Sequence, residues 1–217
     1  LGKIDTSKEG IYEVSGTVQQ ASRTYPYPFI ERCADPQITY NPDDGYYYST
    51  GSKYDEVIEK PESLNVFKKL SVRRAKTIKG LQTAEDHVLM ETKLGYRWGG
   101  FFVSPRLYKI NGRWYCIVGA HDYRDGGYTP EKQDYEIGYS NVTLLLPYNG
   151  TEEQMKAGGM LDAEQWDEPI PLVFPSIGSP EDGASYYEDE NGQGYYVSGK
   201  CNSEGPNAPF GIWIVRA

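Results

Sequence analysis

Two aspartates stand at matching places in this chain. Asp35 precedes Gly45 by ten residues in the stretch Ala34-Asp-Pro-Gln-Ile-Thr-Tyr-Asn-Pro-Asp-Asp-Gly45, and Asp182 precedes Gly192 by the same ten. Each turn glycine is followed by an aromatic run, Tyr46-Tyr-Tyr48 in the first stretch and Tyr195-Tyr-Val197 in the second. Two carboxylates that meet at one place are equipped to take a proton from water and to serve a second proton transfer.

The elements that must position them read as β-hairpins. Ile38 and Tyr40 alternate with polar neighbours, Asn41-Pro-Asp-Asp-Gly45 breaks the run, and the tyrosines resume it, which is strand, tight turn, strand. A third copy lies between the two, Val103-Ser-Pro-Arg-Leu-Tyr-Lys-Ile-Asn-Gly112 followed by Arg113-Trp-Tyr-Cys-Ile-Val118. It carries Ser104 and Arg106 in place of an acid, and Pro105 stands where Pro36 stands in the first. Turn glycines at 45, 112 and 192 are 67 and 80 residues apart, the spacing of repeated four-stranded units with inserted loops. The expected fold is all-β, a propeller of four-stranded antiparallel blades. Blade one is placed at about 30–80, blade two at about 98–145 and blade three at about 175–217 of one domain. In a propeller the first strand of each blade runs beside the central axis, so equivalent positions converge on a funnel at one end. Asp35 and Asp182 are expected to face each other there, within about 10 Å, the separation of two groups that share one sugar.

With these residues the chain resembles family 43 glycoside hydrolases, five-bladed propellers that cleave arabinose- or xylose-containing glycans with inversion. The resemblance rests on Ala34-Asp35-Pro36 with Asp44-Gly45-Tyr46-Tyr47-Tyr48, on Ser104-Pro105 with Asn111-Gly112-Arg113-Trp114-Tyr115, and on Asp182-Gly183 with Asn191-Gly192. It implies that Asp35 is the general base and that Asp182 modulates the pKa of the general acid and orients it. The proton donor itself belongs to a later blade. Inversion needs base and acid roughly 6.5 to 9.5 Å apart, with water between. Two departures stand out. Arg106 occupies the place of the family's usual glutamate after Ala-Pro, and no fourth or fifth blade signature appears. A cation near Asp35 would hold that carboxylate ionised and could grip a substrate hydroxyl or carboxylate, which keeps open a non-catalytic carbohydrate-binding propeller as the alternative. The chemistry requires no cofactor and leaves room for a structural calcium ion.

Bulk properties agree with such a class. The chain has 217 residues, 38% of them hydrophobic and 14% aromatic, with twenty tyrosines, a composition suited to strands and to surfaces that stack on sugars. A net charge of −9 argues against nucleic acid as a partner, since phosphate binding needs a basic face. No window approaches the apolar length that crosses a bilayer as a helix, so no membrane partner is expected. The carbohydrate substrate is the expected partner. A secreted or periplasmic location is expected, with a cytoplasmic one left open, because no signal peptide is visible. Cys33, Cys116 and Cys201 are odd in number and are read as buried thiols; their spacing excludes a zinc site of CxxC type.

Around the hairpins, Tyr27 and Phe29 lead into the Asp35 strand, and Trp98 and Phe102 lead into the Ser104 strand. All four are candidates to wall a sugar site, against the plainer reading of packing at the rim or in the core. Arg106 joins them as a candidate for substrate binding. Gly10 to Ser15 is a further short strand candidate, and the acidic connection 53–69 is read as solvated. Leu70 to Thr77 and Tyr135 to Ser140 are expected as third strands, and Gly211 to Arg216 as the closing strand. Thr151-Glu-Glu-Gln-Met-Lys-Ala-Gly158 carries a capping box and a glycine stop, the signature of a short surface helix. His121 with Asp122 and Asp125 can be drawn as a metal site, but one histidine in a polar loop reads more simply as solvated. Glu204-Gly205-Pro206 mimics the family's general-acid motif, yet it follows a strand where that motif should open one, and it is read as a loop.

Three blade signatures fit into 217 residues, whereas propellers close with about four to eight. The chain is therefore expected to belong to a longer polypeptide or to pack against a companion chain that completes the propeller and supplies the acid.

Overall fold

The computed structural model describes residues 28–53, 67–132, 140–174, 178–179, 183–201 and 210–217. Within them the strands form three antiparallel sheets. The first contains β1 (Cys33–Asn41), β2 (Tyr46–Lys53), β3 (Lys69–Ala75) and β4 (His87–Glu91), in that order. The second contains β5 (Trp98–Ile110), β6 (Arg113–Asp122), β7 (Ser140–Pro147) and the short β8 (Ile170–Pro171). The third orders β9 (Ser185–Glu188), β10 (Gly194–Cys201) and β11 (Phe210–Arg216) with β10 in the middle.

The three hairpins form where the turn glycines are. Asn41 pairs with Tyr46, Ile110 with Arg113 and Glu188 with Gly194. Gly45, Gly112 and Gly192 have φ of 71°, 81° and 78°, a region that side chains resist and glycine does not. Asn111 at φ 49° followed by Gly112 makes the two-residue left-handed turn whose twist suits a hairpin.

The second sheet is the middle layer, and its sequence shows why. Along β6, Trp114, Cys116, Val118 and Ala120 pack toward the first sheet, while Ile117, one step out of phase, packs toward the third. On β7, Val142, Leu144 and Leu146 face the first sheet and Leu145 the third. A strand buried on both faces reads as a continuous apolar run rather than an alternating one. Leu70, Val72 and Tyr48 supply the first sheet's side of the larger core, and Leu172, Phe174 and Tyr186 complete the smaller one. Each fully buried aliphatic side chain contributes about 1.5–3 kcal/mol. Polar ties lock the layers in register: Lys109 Nζ reaches Asp43 at 2.7 Å, and Trp114 Nε1 donates to the same carboxylate at 3.0 Å.

Several expectations meet the structure here. The helix after Thr151 is present as α2 (Glu152–Lys156), with both halves of its capping box made; α1 (Ile78–Leu81) is capped by Thr77. The third strand of the second sheet is described over Ser140–Pro147, where apolar residues at Val142, Leu144 and Leu146 form a core-facing row; of the expected strand Tyr135 to Ser140 only Ser140 lies among the described residues. The first sheet runs past residue 80 to Glu91, and the second reaches Pro171 through β8. Cys116 is buried and Cys33 half-buried, both as free thiols. Acidic residues 188–190 are exposed. The strand candidate at Gly10 to Ser15, residues 54–66 of the acidic connection, residues 133–139 and Glu204 to Pro206 lie outside the described residues. Among the described residues no helix is long and apolar enough to cross a membrane.

Candidate active site

Asp35 sits in a β-bulge. Pairing of β1 with β2 is regular from Asn41 back to Gln37, shifts, and resumes at Ala34 opposite Ser52. Pro36 explains the break, since it has no N–H for the ladder and restricts the residue before it. Asp35 takes φ 46°, a left-handed conformation that aspartate tolerates better than most side chains. The bulge turns its carboxylate outward, where the residue is exposed. Oδ2 accepts a hydrogen bond from Ser52 Oγ at 2.7 Å.

Ser52 is fully buried, and its Oγ in turn accepts the backbone N–H of Ser104 at 2.9 Å. Because that amide occupies the oxygen as an acceptor, the hydroxyl proton is left to point at Asp35. Ser104 repeats the geometry of Asp35 on the next sheet: φ 49°, a proline after it, and a register shift between Val103 and Arg106. Asp35 and Ser104 each lie six residues before the last paired residue of their strand, Asn41 and Ile110. The strands are also cross-linked beyond the bulge, Thr50 Oγ1 donating to Pro105 O at 2.6 Å and Leu107 N to Gln37 Oε1 at 2.8 Å.

The third sheet arrives at the same place. Counting six back from Glu188 falls on Asp182, which lies outside the described residues, so its distance from Asp35 is not defined. Its neighbour Gly183 is described: φ 88°, N–H donated to Thr143 Oγ1 at 3.1 Å, carbonyl accepting Ser198 Oγ at 3.0 Å. A Cβ on Gly183 would stand 3.8 Å from Ser104 Cβ. Asp35, Ser52 and Ser104 thus form one hydrogen-bonded line across two sheets, with an exposed carboxylate at one end and Gly183, two residues before β9, beside Ser104 at the other.

The family model for glycosyl hydrolases family 43 matches residues 25–217. The chain belongs to that family. An extracellular exo-α-(1→5)-L-arabinofuranosidase of Streptomyces chartreusis is 29% identical over 115 residues, 52% of this chain and 31% of that protein. α-L-Arabinofuranosidase 43 of Humicola insolens is 34% identical over 95 residues, 43% of this chain and 17% of that protein. The crystal structure of an α-L-arabinofuranosidase from Lactobacillus brevis superposes with TM-score 0.62 at 22% identity, covering 88% of this chain and 51% of that one. The chain spans about half of that structure and less of the two curated relatives. At this identity the likeness establishes the fold, an all-β arrangement of family 43 propeller sheets.

Within the family 43 frame the other expected site residues separate. Arg106 extends from β5 to the third sheet, Nη1 donating to Ser185 Oγ at 2.7 Å. Phe29 is half-buried in the bend before β1, and Tyr27 lies outside the described residues. Trp98 and Phe102 are not walls of an open site: they are 7% and 0% exposed and belong to the larger core. The Arg97 guanidinium lies 4.2 Å from the Trp98 ring centroid. Phe101 is the half-buried aromatic of this segment, at φ 52° and stacked on His121 with centroids 5.4 Å apart. His121 is not a solvated loop residue either. It lies on β6, 3% exposed, and burial drives its imidazole down to about 4, so it is neutral near pH 7. Asp122 beside it is held below the usual carboxylate range by Arg97, against the pull of its own burial. Among the described residues no three His, Cys, Asp or Glu side chains gather to hold a metal ion.

Ser52 is the residue that sequence reasoning passed over. The run Thr50-Gly-Ser52 was the available signal: small polar residues in a strand that pairs directly with the bulge. Gly51 belongs to it for a steric reason, since a Cβ there would meet Cys33 Sγ at 2.3 Å. The Cys33 thiol is pushed up by burial.

Proposed function

We propose that this chain forms part of an inverting glycoside hydrolase that removes arabinose- or xylose-type residues from plant polysaccharides and oligosaccharides, with Asp35 as its general base. The observation that carries the reading is the exposed Asp35 carboxylate, anchored through Ser52 to the first strand of the neighbouring sheet at the point where three hairpins converge. Family membership and arabinofuranosidase relatives support the same assignment.

The chemistry follows from the anchoring. The Ser52 proton occupies one carboxylate oxygen and leaves the other to hold a water, from which Asp35 takes a proton as that water attacks the anomeric carbon. Departure of the aglycone on the opposite face needs a protonated acid roughly 6.5 to 9.5 Å away. In this reading the acid comes from a part of the enzyme beyond this chain, Asp182 tunes and orients it, and the 217-residue chain alone is inactive. A structural calcium ion remains compatible with the fold and is not needed for these steps. The extracellular naming of the Streptomyces relative supports an exported enzyme.

Arg106 favours a second reading, a carbohydrate-binding propeller without turnover, because a cation stands where an acid is usual. The test is Asp35→Asn in the intact protein, with hydrolysis of aryl α-L-arabinofuranosides and aryl β-xylosides measured beside thermal melting. Loss of turnover with an unchanged melt is expected. Full turnover in a well-folded variant would remove Asp35 from the mechanism, and sugar binding by a parent that never cleaves would establish the second reading.

A further inference from the structure

The segment after β6 turns its carbonyls toward a single point. Lys132 Nζ lies 3.0 Å from Tyr123 O, 3.2 Å from Arg124 O, 2.8 Å from Asp125 O and 2.9 Å from Gly127 O. An ammonium carries three N–H donors, so these oxygens outnumber the protons available to them. They surround the nitrogen as a coordination shell surrounds an ion. Rings of backbone carbonyls are the groups that replace water around a monovalent cation.

The backbone is bent to achieve this. Arg124, Asp125, Gly126 and Gly127 run consecutively at φ 21°, 24°, 84° and 73°, and non-glycine residues hold such angles only where their surroundings compel them. Carbonyl dipoles aimed at one point repel each other unless a positive charge lies between them. The loop is fixed on its other side as well. Gly95 N donates to Tyr128 O and Tyr128 N to Tyr96 O, both at 2.8 Å, and a Cβ on Gly127 would strike Gly95 O at 2.2 Å.

We infer that this loop is a monovalent-cation site that the chain fills with its own Lys132, and that the emptied site takes up a free potassium or ammonium ion. The site follows the end of β6, where Asp122 pairs with Trp98 at the start of β5. It fixes the carbonyl of Tyr123, whose ring packs against His121 at 5.7 Å and Tyr128 at 5.1 Å.

The experiment melts Lys132→Ala of the intact protein in potassium, ammonium and tetramethylammonium chloride at equal ionic strength. The variant is expected to melt several degrees below the parent in tetramethylammonium, which is too large for the ring. Potassium or ammonium should restore most of the loss with saturation, while the parent is indifferent to the salt. A variant that melts like the parent, or one raised equally by tetramethylammonium, overturns the inference. An unmodified-protein measurement covers a variant that fails to fold: amine acetylation followed by peptide mass spectrometry. Lys132 should label at least tenfold more slowly than the exposed Lys79 and Lys93, and equal labelling overturns the inference.

Discussion

The bulges of the first and second sheets have the same backbone and different side chains. Asp35 and Ser104 share φ near 50°, a following proline and a register shift at the same count from the turn. Asp35 presents a carboxylate to solvent, while the Ser104 backbone amide serves as a prop for the serine that holds it. The pair separates what the fold supplies from what the side chain supplies. A left-handed kink in an inner strand is a mounting, and chemistry depends on which residue is mounted there.

Breaking the comparison at its active end should give the largest effect. Asp35→Asn is expected to lower kcat on aryl glycosides by about 10²–10⁴-fold, whereas Ser104→Ala, which keeps the donating amide, should stay within about threefold of the parent at the same level of effect on transition-state contacts. Equal losses in the two variants would erase the distinction drawn between the side chains of the two bulges.

The second sheet has a titrating group of its own in His121. Its imidazole is buried and neutral down to about 4, whereas the unfolded chain takes up the proton near 6.5. Stability from this group is therefore complete above about 6.5 and is lost as pH falls toward 4, by about 3 kcal/mol at most. Urea unfolding between pH 7 and pH 4 should show the parent losing more than His121→Phe by up to that amount. Parallel curves would remove His121 from the acid response.

Ser52→Ala cuts the link between the two bulges and leaves the Ser104 amide without its acceptor. A fall in kcat of about tenfold is expected, with about 1–2 kcal/mol lost in unfolding experiments. The smallest effect belongs to the turns. Nothing lies within 4 Å of a Cβ at Gly112, so Gly112→Ala is opposed by its φ of 81° alone and should cost about 1 kcal/mol in thermal or urea unfolding.

What could be read in the sequence was local. Asn-Gly and Asp-Gly turns and the Thr151 capping box act within a few residues of themselves, and they placed the hairpins and α2 where the structure has them, whereas the bulge at Asp35 emerged only from the strand register. Which face of a strand is covered is decided elsewhere in the chain. Trp98 and Phe102 look like sugar platforms until the first sheet packs over them, and His121 looks like a loop residue until β6 is seen to continue to Asp122. Short outer strands such as Ile170–Pro171 carry too few residues to announce themselves.

Trp114 has a practical consequence. Its indole is 4% exposed and donates its N–H to Asp43, a residue of the first sheet's hairpin turn, while its own strand belongs to the second sheet. Indole emission shifts to the red when the ring is wetted, so a protein in which Trp114 is the sole fluorophore of its kind would report by colour the moment these two layers part. It would do so without any label.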